Sequence, residues 1–298
     1  MSLKQRLVNL TPGRLVRLFA APYIAGDSAA KAVETARTLW DSRGVRSTLD
    51  LLGEDLREDG EGERSLAAYH RLLEILGPQP FATLSLKPTQ FAAGGEPGPY
   101  RRRIGEIARA ALSKGIGVTL DMEDHRFTDL TLGVYRDLLP EVPGLGTVLQ
   151  SRLHRTREDI LALRGLAARV RICIGIYLEP PDIALRQKPA MKERLVEFTG
   201  LLLDGGHYVE IATHDEAVLD RALAVAERLN PRRDRFEVQM LLGVPRLRVQ
   251  DELVRRGVRV RLYVPYAENW KDAVGYCKRR LAANPSMGAQ VLRNLFRR

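Results

Sequence analysis

The chain has 298 residues, of which 45% are hydrophobic and 28% charged, so it can build a substantial core as one large α/β domain or two smaller ones. Its formal net charge of +10 favours anionic partners, but the basic residues are spread along the chain and aromatic residues make up only 6%, which argues against nucleic-acid binding. The two cysteines, Cys173 and Cys277, form no CxxC pair and the five histidines are scattered, which argues against a metal site.

The first residues, MSLKQRLVNLTPGRLVRLF, carry basic residues throughout and lack the apolar run of a signal peptide. No stretch approaches the ~20 apolar residues of a membrane span. We therefore expect a cytoplasmic protein, and leave open a peripheral contact of its basic surface with the inner face of the membrane.

Short apolar runs alternate with longer amphipathic ones along the chain. The apolar runs are rich in Val, Ile, Leu or Thr and are bounded by Gly, Pro or charge, which is typical of buried strands. The predicted strands are Arg46–Leu51, Phe81–Leu86, Gly117–Leu120, Thr147–Leu149, Arg169–Ile176, Tyr208–Ala212, Phe236–Leu241 and Val258–Val264. The predicted helices between them are Ala29–Ser42, Glu63–Ile75, Arg101–Ser113, Leu130–Leu138, Arg157–Leu163, Met191–Leu203, Glu216–Leu229, Leu247–Arg256 and Trp270–Ala283.

Strands that alternate with helices predict parallel pairing. Because no linker divides the chain, we predict an α/β fold with one domain over residues 1–298, a distorted (β/α)8 TIM-type barrel. Residues 1–24 are predicted as an N-terminal helical extension and residues 286–298 as a basic C-terminal helix. The stretches 54–63 and 94–100 are predicted as surface excursions.

Two helix starts carry capping residues. Thr213 or Asp215 is predicted to cap the helix that begins at Glu216, and Thr156 the helix that begins at Arg157.

Polar residues follow almost every predicted strand. The active site of such a barrel lies at the carboxyl ends of its strands, so this recurrence indicates a lined pocket, although each residue alone is more often a cap or a surface group. The residues at these ends include Gly53, Glu54, Lys87, Asp121, Glu123, Asp124, Gln150, Gly175, Tyr177, Glu179, Thr213, His214, Asp215, Gln239, Leu241, Tyr263 and Tyr266.

Arg171 and Gln239 stand out because each lies inside an apolar strand. A buried polar group needs a partner. That partner is either another side chain inside the barrel or a polar heteroaromatic ligand that fills the barrel mouth.

The segment VGYCKRRLAANP follows the last strand and carries Tyr276, Arg279 and Arg280. Residues three and four apart share one face of a helix, so the ring and both guanidiniums can point into one pocket. Paired arginines suit a small carboxylate, which each can bind through two parallel hydrogen bonds. The alternative is a solvated basic stripe.

Taken in order from about Ala25 to Pro285, these segments resemble the proline dehydrogenase family of flavoenzymes, in its monofunctional bacterial form. The similar segments are LDLLGE (Leu49–Glu54), LSLKP (Leu84–Pro88), LDMED (Leu120–Asp124), VLQSRLHRT (Val148–Thr156), VRICIGIYLEPP (Val170–Pro181), IATHD (Ile211–Asp215), FEVQMLLGV (Phe236–Val244), RLYVPY (Arg261–Tyr266) and YCKRRLAANP (Tyr276–Pro285).

The resemblance implies FAD-dependent oxidation of L-proline to Δ1-pyrroline-5-carboxylate, with a quinone-type electron acceptor. Lys87, Asp121 and Tyr263 would be the catalytic residues, with Asp121 holding Lys87. The substrate-binding residues would be Arg279, Arg280, Lys87, Tyr276, Tyr177, Leu241 and Glu54, in which Glu54 closes a gate by pairing with Arg279. The FAD-binding residues would be Gln150, Arg171, Gly175, Thr213, His214 and Gln239.

Four positions depart from the family pattern, all in the expected cofactor environment. Ile174 replaces a lysine, Ile176 an alanine and Ala283 a glutamate, and an acidic residue expected after Lys188 is missing. Two alternatives follow: a barrel with lost or altered flavin binding that acts as a binding or regulatory protein, or a flavoenzyme for another cyclic amino acid.

Overall fold

Eight parallel strands close into a barrel in the computed structural model, which describes residues 21–53, 59–91, 96–230 and 232–283. The strands are β1 Arg46–Leu51, β2 Ala82–Leu86, β3 Val118–Leu120, β4 Gly146–Gln150, β5 Arg169–Cys173, β6 Tyr208–Ala212, β7 Phe236–Leu241 and β8 Val260–Tyr266. Each strand pairs with the next, and β8 pairs in parallel with β1 from Arg46 opposite Arg261 to Leu51 opposite Tyr266. The predicted (β/α)8 barrel is confirmed.

Helices precede β1 and follow every strand. They are α1 Ala29–Arg43, α2 Asp59–Leu76, α3 Pro97–Ser113, α4 Thr128–Leu138, α5 Thr156–Leu161, α6 Lys188–Asp204, α7 Glu216–Leu229, α8 Leu247–Arg255 and α9 Trp270–Ala283. Short 3-10 turns span Ala21–Tyr23, Pro88–Gln90 and His125–Phe127. No helix in the described parts of the chain is both long enough and apolar enough to cross a membrane.

Side chains alternate along the strands, as the pleat requires. In β5, Val170 and Ile172 belong to the apolar core, whereas Arg169 and Arg171 make ion pairs with other strands. The same alternation places Glu237 of β7 in that polar set. The strands therefore bury apolar residues under the helices and gather charged residues inside the barrel.

The middle of α9 packs against the chain that follows β1. Tyr276 and Cys277 pack with Leu52, which follows β1, in a small apolar cluster separate from the main core. Leu52 lies just beyond the carboxyl end of its strand, so α9 covers the mouth of the barrel.

Several predicted boundaries shift. β5 ends at Cys173 rather than Ile176, because Gly175 adopts φ +94° and turns the chain out of the extended conformation. Helix α2 begins at Asp59 and α3 at Pro97, both inside stretches predicted as surface excursions. Proline is tolerated in the first turn of a helix, where its missing N–H has no intrahelical partner.

The two capping predictions have different outcomes. Asp215 caps α7 by accepting a hydrogen bond from the Val218 N–H at 3.1 Å, so Asp215 rather than Thr213 is the cap. Thr156 is not a cap, because it is the first residue of α5 and its hydroxyl donates to the Gln150 carbonyl at 2.5 Å. The predicted helix over 286–298 and most of the extension over 1–24 lie outside the described residues.

Candidate active site

A cavity of about 290 Å³ lies at the carboxyl ends of the strands. It brings together most of the residues that the sequence places at strand ends, together with Tyr276 of α9. The residues of the predicted site that line it are Lys87, Asp121, Gln150, Arg171, Gly175, Tyr177, Thr213, His214, Gln239, Leu241, Tyr263 and Tyr276.

Asp121, just after β3, is the centre of a buried polar cluster. It accepts hydrogen bonds from Arg171 Nη1 at 2.5 Å and from the Tyr263 hydroxyl at 2.6 Å. Burial would raise the pKa of Asp121, but the charges of Arg171 and Lys87 and the hydrogen bond from Tyr263 outweigh it, so the pKa lies below its ordinary value. Asp121 is therefore a carboxylate at neutral pH.

Lys87 follows β2 directly and forms a buried ion pair with Asp50 of β1. The resemblance assigns the holding of Lys87 to Asp121. In the structure Asp121 acts on Lys87 through its charge, and Asp50 is the carboxylate that pairs with the ammonium. Asp50 is not among the predicted site residues, although its position inside the apolar run LDLL is the same signal that singles out Arg171.

Arg171 is held on several sides. Besides the bond to Asp121, its Nε donates to Gln239 Oε1 at 2.6 Å, and its guanidinium lies 5.3 Å from the centroid of the Tyr263 ring. Nη2 of Arg171 is buried and has no hydrogen-bond partner. These contacts fix the arginine, and Nη2 is a buried donor whose hydrogen-bonding capacity is unused, which costs free energy.

Gln239 has both ends of its amide engaged by the protein. Its Oε1 accepts from Arg171 and its Nε2 donates to Glu237 Oε1 at 2.8 Å. Of the two interpretations of the sequence, the hydrogen bond inside the barrel is the one observed, and Gln239 positions Arg171 at the cavity wall.

Gln150 and Gly175 lie against each other. Gln150 donates from Nε2 to the Glu123 carbonyl at 2.7 Å, while its buried Oε1 has no partner. A Cβ on Gly175 would collide with that Oε1, and the φ of +94° also favours glycine. The unpartnered acceptor on Gln150 therefore lies against the backbone of Gly175, and both residues line the cavity.

Thr213 and His214 follow β6. The Thr213 hydroxyl accepts from the Asp215 N–H at 3.2 Å, so its own hydrogen can be donated elsewhere. His214 Nε2 accepts from the Leu241 N–H at 2.8 Å. Nε2 therefore carries no hydrogen, and the hydrogen of the imidazole ring is on Nδ1.

The rest of the wall is apolar or aromatic. It includes Tyr177, Leu241 and Tyr276, and also residues that the sequence does not single out: Met122, Val148, Cys173, Ala212 and Met240. Ile174 and Ile176, which depart from the family pattern, line the same cavity. Four of these additional residues occupy ordinary strand positions and Met122 lies two residues after β3, so no local signal distinguishes them from core residues.

Three predicted residues are not described at side-chain level. Glu54 lies outside the described residues. Helix α9 includes positions 279 and 280, but the side chains of Arg279 and Arg280 lie outside the described residues.

The cavity suits a flavin ring in one specific respect. A heteroaromatic ring edge carries both acceptors and donors, and two residues that line the cavity have a buried unpartnered atom, a donor on Arg171 and an acceptor on Gln150. Over the described residues, no group of three or more His, Cys, Asp or Glu is arranged to hold a metal ion.

A closed parallel barrel with a cavity at the carboxyl ends of its strands is the architecture of TIM-barrel enzymes. The sequence model of proline dehydrogenase matches residues 32–178 and 191–293, so the chain belongs to the proline dehydrogenase family. Proline dehydrogenase 1 of Bacillus subtilis is 31% identical over 300 residues, which cover 100% of this chain and 97% of the relative. Proline dehydrogenase of Deinococcus radiodurans is 32% identical over 287 residues, or 93% of this chain and 90% of the relative.

Solved structures share the fold. Proline utilization A from Bdellovibrio bacteriovorus, inactivated by N-propargylglycine, superposes with a TM-score of 0.82 at 23% identity over 89% of this chain. The match covers 33% of that protein, so the chain corresponds to about a third of it. Proline utilization A from Corynebacterium freiburgense has a TM-score of 0.78 at 22% identity over 97% of this chain and 33% of that protein.

Proposed function

We propose that the protein oxidises L-proline to Δ1-pyrroline-5-carboxylate with FAD held in the cavity at the carboxyl ends of the strands. The family supports oxidation of proline. The observation that carries the assignment to this cavity is the pair of unpartnered buried atoms, Arg171 Nη2 and Gln150 Oε1, which have opposite hydrogen-bonding roles and belong to residues that line it.

The chain's own residues would bind and orient both molecules. Arg171, Gln150, Thr213 and His214 would hold FAD, and the missing side chain of Gly175 leaves room for the Gln150 amide. FAD, when bound, would supply the hydride acceptor for the ring carbon beside the amine of proline. Tyr177, Leu241, Tyr263 and Tyr276 would enclose the five-membered ring and exclude water.

The charges of the described site argue for the arginine pair of α9. Lys87 and Arg171 are each matched by a carboxylate, Asp50 and Asp121. Within the described residues these charges balance, so a substrate carboxylate needs further cations. We therefore assign the carboxylate to Arg279 and Arg280 with Lys87 as a third cation, and keep Glu54 as the gate that pairs with Arg279.

The electron acceptor belongs to the proposal as well. A quinone-type acceptor would reoxidise the flavin, and the net charge of +10 would favour peripheral contact with an anionic membrane surface. Stimulation of quinone reduction by anionic vesicles over neutral vesicles would support this part, and equal rates would contradict it.

Purified protein tests the main proposal directly. We expect non-covalent FAD in the purified protein or its uptake from solution, and anaerobic bleaching of the flavin absorbance by proline. Five-membered-ring acids of the furoate type should compete with proline. A colourless protein that takes up no added FAD would contradict the cofactor, and a bound flavin that proline does not bleach would contradict the substrate.

The assignment of the substrate carboxylate to Arg279 and Arg280 has its own test. Arg279→Ala and Arg280→Ala should each raise KM for proline about 10-fold or more, because a hydrogen bond to a charged group contributes roughly 1.5–3 kcal/mol. Arg248→Ala, at an exposed position of α8, is the matched control and should leave KM unchanged. If all three variants titrate like the parent, the two arginines form only a surface stripe.

A second function is supported by the position of two departures. Ile174 and Ile176 line the cavity, where the family has a cation and a smaller residue. A barrel that binds proline but no flavin would act as a binding or regulatory protein. Saturable proline binding to colourless protein, measured by calorimetry, would support this alternative over flavin-dependent proline oxidation.

A further inference from the structure

A second cavity, of about 260 Å³, lies at the opposite end of the barrel. Its lining residues occupy the first positions of β1, β5 and β6, the second positions of β7 and β8, and the position before β8. They are Arg46, Arg169, Tyr208, Glu237, Arg259 and Arg261. This end of a TIM barrel lies away from the active site, so the cavity is separate from the one assigned to proline and FAD.

The lining carries four guanidiniums and a single carboxylate. Glu237 pairs with Arg261 at 2.5 Å and lies 3.9 Å from Arg169. Arg169 forms a further ion pair with Glu210. The two buried carboxylates therefore balance the charges of Arg261 and Arg169. Among the described residues, the charges of Arg46 and Arg259 have no balancing carboxylate.

Arg46 and Arg259 have no carboxylate within ion-pair distance among the described residues. Arg46 reaches the Pro80 carbonyl at 3.5 Å and stacks 5.3 Å from the Trp40 ring centroid. Nη1 of Arg259 contacts the Tyr208 hydroxyl and the Asp234 carbonyl, both at 3.3 Å. These contacts are long, so most of the N–H groups of both side chains remain available.

The surroundings of Arg46 point the same way. Burial lowers the pKa of Arg46, and the positive charges of Arg261 and Arg259 lower it further, although Glu237 and Tyr208 oppose this change. The pKa of Arg259 is raised, chiefly by its hydrogen bond with Tyr208. Cations that repel one another beside a cavity are stabilised by an anion between them.

We propose that this cavity binds a small oxyanion of the phosphate class, held by Arg46 and Arg259 with Arg169 and Tyr208 beside them. Two surplus guanidiniums match a dianion in charge, and each presents a planar fork of donors that suits phosphate oxygens. The volume admits inorganic phosphate or the phosphate group of a small metabolite. The bound anion bridges the starts of β1, β5, β6 and β8, so it stabilises the closed barrel by binding the folded state alone.

Phosphate titration of the full chain tests this proposal. Inorganic phosphate is added at constant ionic strength against chloride, with calorimetry for binding and thermal unfolding for stability. We expect saturable binding and a rise in Tm. Glycerol phosphate in a second arm distinguishes the sources: tighter binding than phosphate assigns the site to a phosphomonoester, and weaker binding assigns it to the free ion.

The double variant Arg46→Gln, Arg259→Gln should weaken phosphate binding about 10-fold or more, because two charge-assisted contacts are lost. The matched control is Arg228→Gln, Arg248→Gln, which removes the same charge from exposed positions and should bind phosphate like the parent. If the first double variant does not fold, Arg46→Lys, Arg259→Lys keeps both charges without the planar fork and should still weaken binding.

Three results would overturn the proposal. The first is an absence of saturable phosphate binding to the parent, and the second is an equal loss of affinity in the surface double variant and the cavity variant. The third is the loss of phosphate binding at saturating FAD, which would place the anion in the other cavity. None of these results affects proline-dependent bleaching, so the anion site and the proposed oxidation fail independently.

Discussion

Tyr263 combines two separable interactions in the candidate active site. Its ring centroid lies 5.9 Å from Lys87 Nζ and 5.3 Å from the Arg171 guanidinium, while its hydroxyl donates to Asp121. Replacing the hydroxyl alone leaves the ring contacts in place.

We expect Tyr263→Phe to raise the pKa of Asp121 and to lower the free energy of unfolding by about 1.5–3 kcal/mol, because a hydrogen bond to a charged group is lost. Asp121 has a depressed folded-state pKa, so its contribution is present above its ordinary pKa and is lost as pH falls through the folded value. The variant should therefore lose less stability on acidification than the parent, as measured by denaturant unfolding at several pH values.

Tyr266→Phe is the matched control for this substitution. Tyr266 is on the same strand, β8, and its buried hydroxyl has no hydrogen-bond partner. Its removal should be neutral or slightly stabilising. Equal losses in the two variants would show that the Tyr263 hydroxyl contributes nothing specific.

Ile174 and Ile176 offer a second test at single positions. Both line the cavity that we assign to FAD, where the family resemblance has lysine and alanine. Ile174→Lys with Ile176→Ala should tighten FAD binding, because a cation is restored near an anionic cofactor and space is returned to the cavity. Fluorescence quenching of FAD gives the affinity, and the two single variants separate charge from volume. Tighter FAD binding by the parent would show that these substitutions are compensated elsewhere.

At the level of elements, the turn after β5 sets the shape of the cavity. Gly175 takes φ +94° there and lies against the Gln150 side chain. Gly165, in the connection between α5 and β5, has a similar φ of +83°, but a Cβ at that position would meet nothing within 4 Å. The two glycines share a left-handed backbone conformation and differ in what a methyl group would meet.

Both Gly175→Ala and Gly165→Ala should lose about 1 kcal/mol or more of stability, because alanine is strained at positive φ. Gly175→Ala alone should also displace Gln150 and weaken FAD binding. Thermal unfolding and FAD titration of both variants check this expectation. Similar FAD affinities would mean that the Gln150 amide does not contact the cofactor.

The elements also show which parts of the fold the sequence predicts. The predicted bounds of Glu216–Leu229 and Trp270–Ala283 coincide with the observed ones, because amphipathic periodicity and clear flanking residues mark both ends. The predicted β5 is too long, because apolar residues continue past Cys173 and only Gly175 indicates the turn. The periodicity of apolar residues cannot predict where a single residue, here Gly175, turns the backbone out of a strand.

The hydrogen bonds and ion pairs between side chains of different strands are harder to predict from the sequence than the residues that line the candidate active site. The sequence places Arg171 and Asp121 at strand positions, but their hydrogen bond joins β5 to the residue after β3, two strands away. The pairing of Lys87 with Asp50 likewise depends on where the pleat of β1 points. Such contacts are fixed by closure and register of the whole sheet, which no local segment contains.

At the scale of the whole molecule, buried carboxylates inside the barrel tie stability to pH. The pKa of Glu237 falls to about 2, since the charges of Arg261 and Arg169 and hydrogen bonds outweigh the effect of burial. Its stabilising contribution is therefore complete above about 4.5, the ordinary pKa of a glutamate, and is lost progressively as pH falls toward about 2.

Glu237→Gln should lower stability at neutral pH and flatten the loss of stability between about pH 4.5 and 2. Glu193→Gln is the comparison, because Glu193 pairs with Arg221 on the exposed surface, where ion pairs contribute little. Denaturant unfolding across this pH range should separate the two variants. Parallel acid profiles for the parent and Glu237→Gln would contradict the role of the buried pair.

The parallel pairing of β1 with β8 also constrains the order in which the protein folds. Arg261 donates to the Ser47 carbonyl across 214 positions of sequence, and six residue pairs join the two strands. Contacts so distant in sequence are slow to form, because a long loop must be closed before they contribute. During synthesis the edge of β1 that pairs with β8 therefore stays unpaired until β8 has left the ribosome. A partly synthesised chain exposes this edge, which can then pair with other chains and aggregate. Tyr263 lies on that last strand, so the ligand cavity is completed only in the final step of assembly.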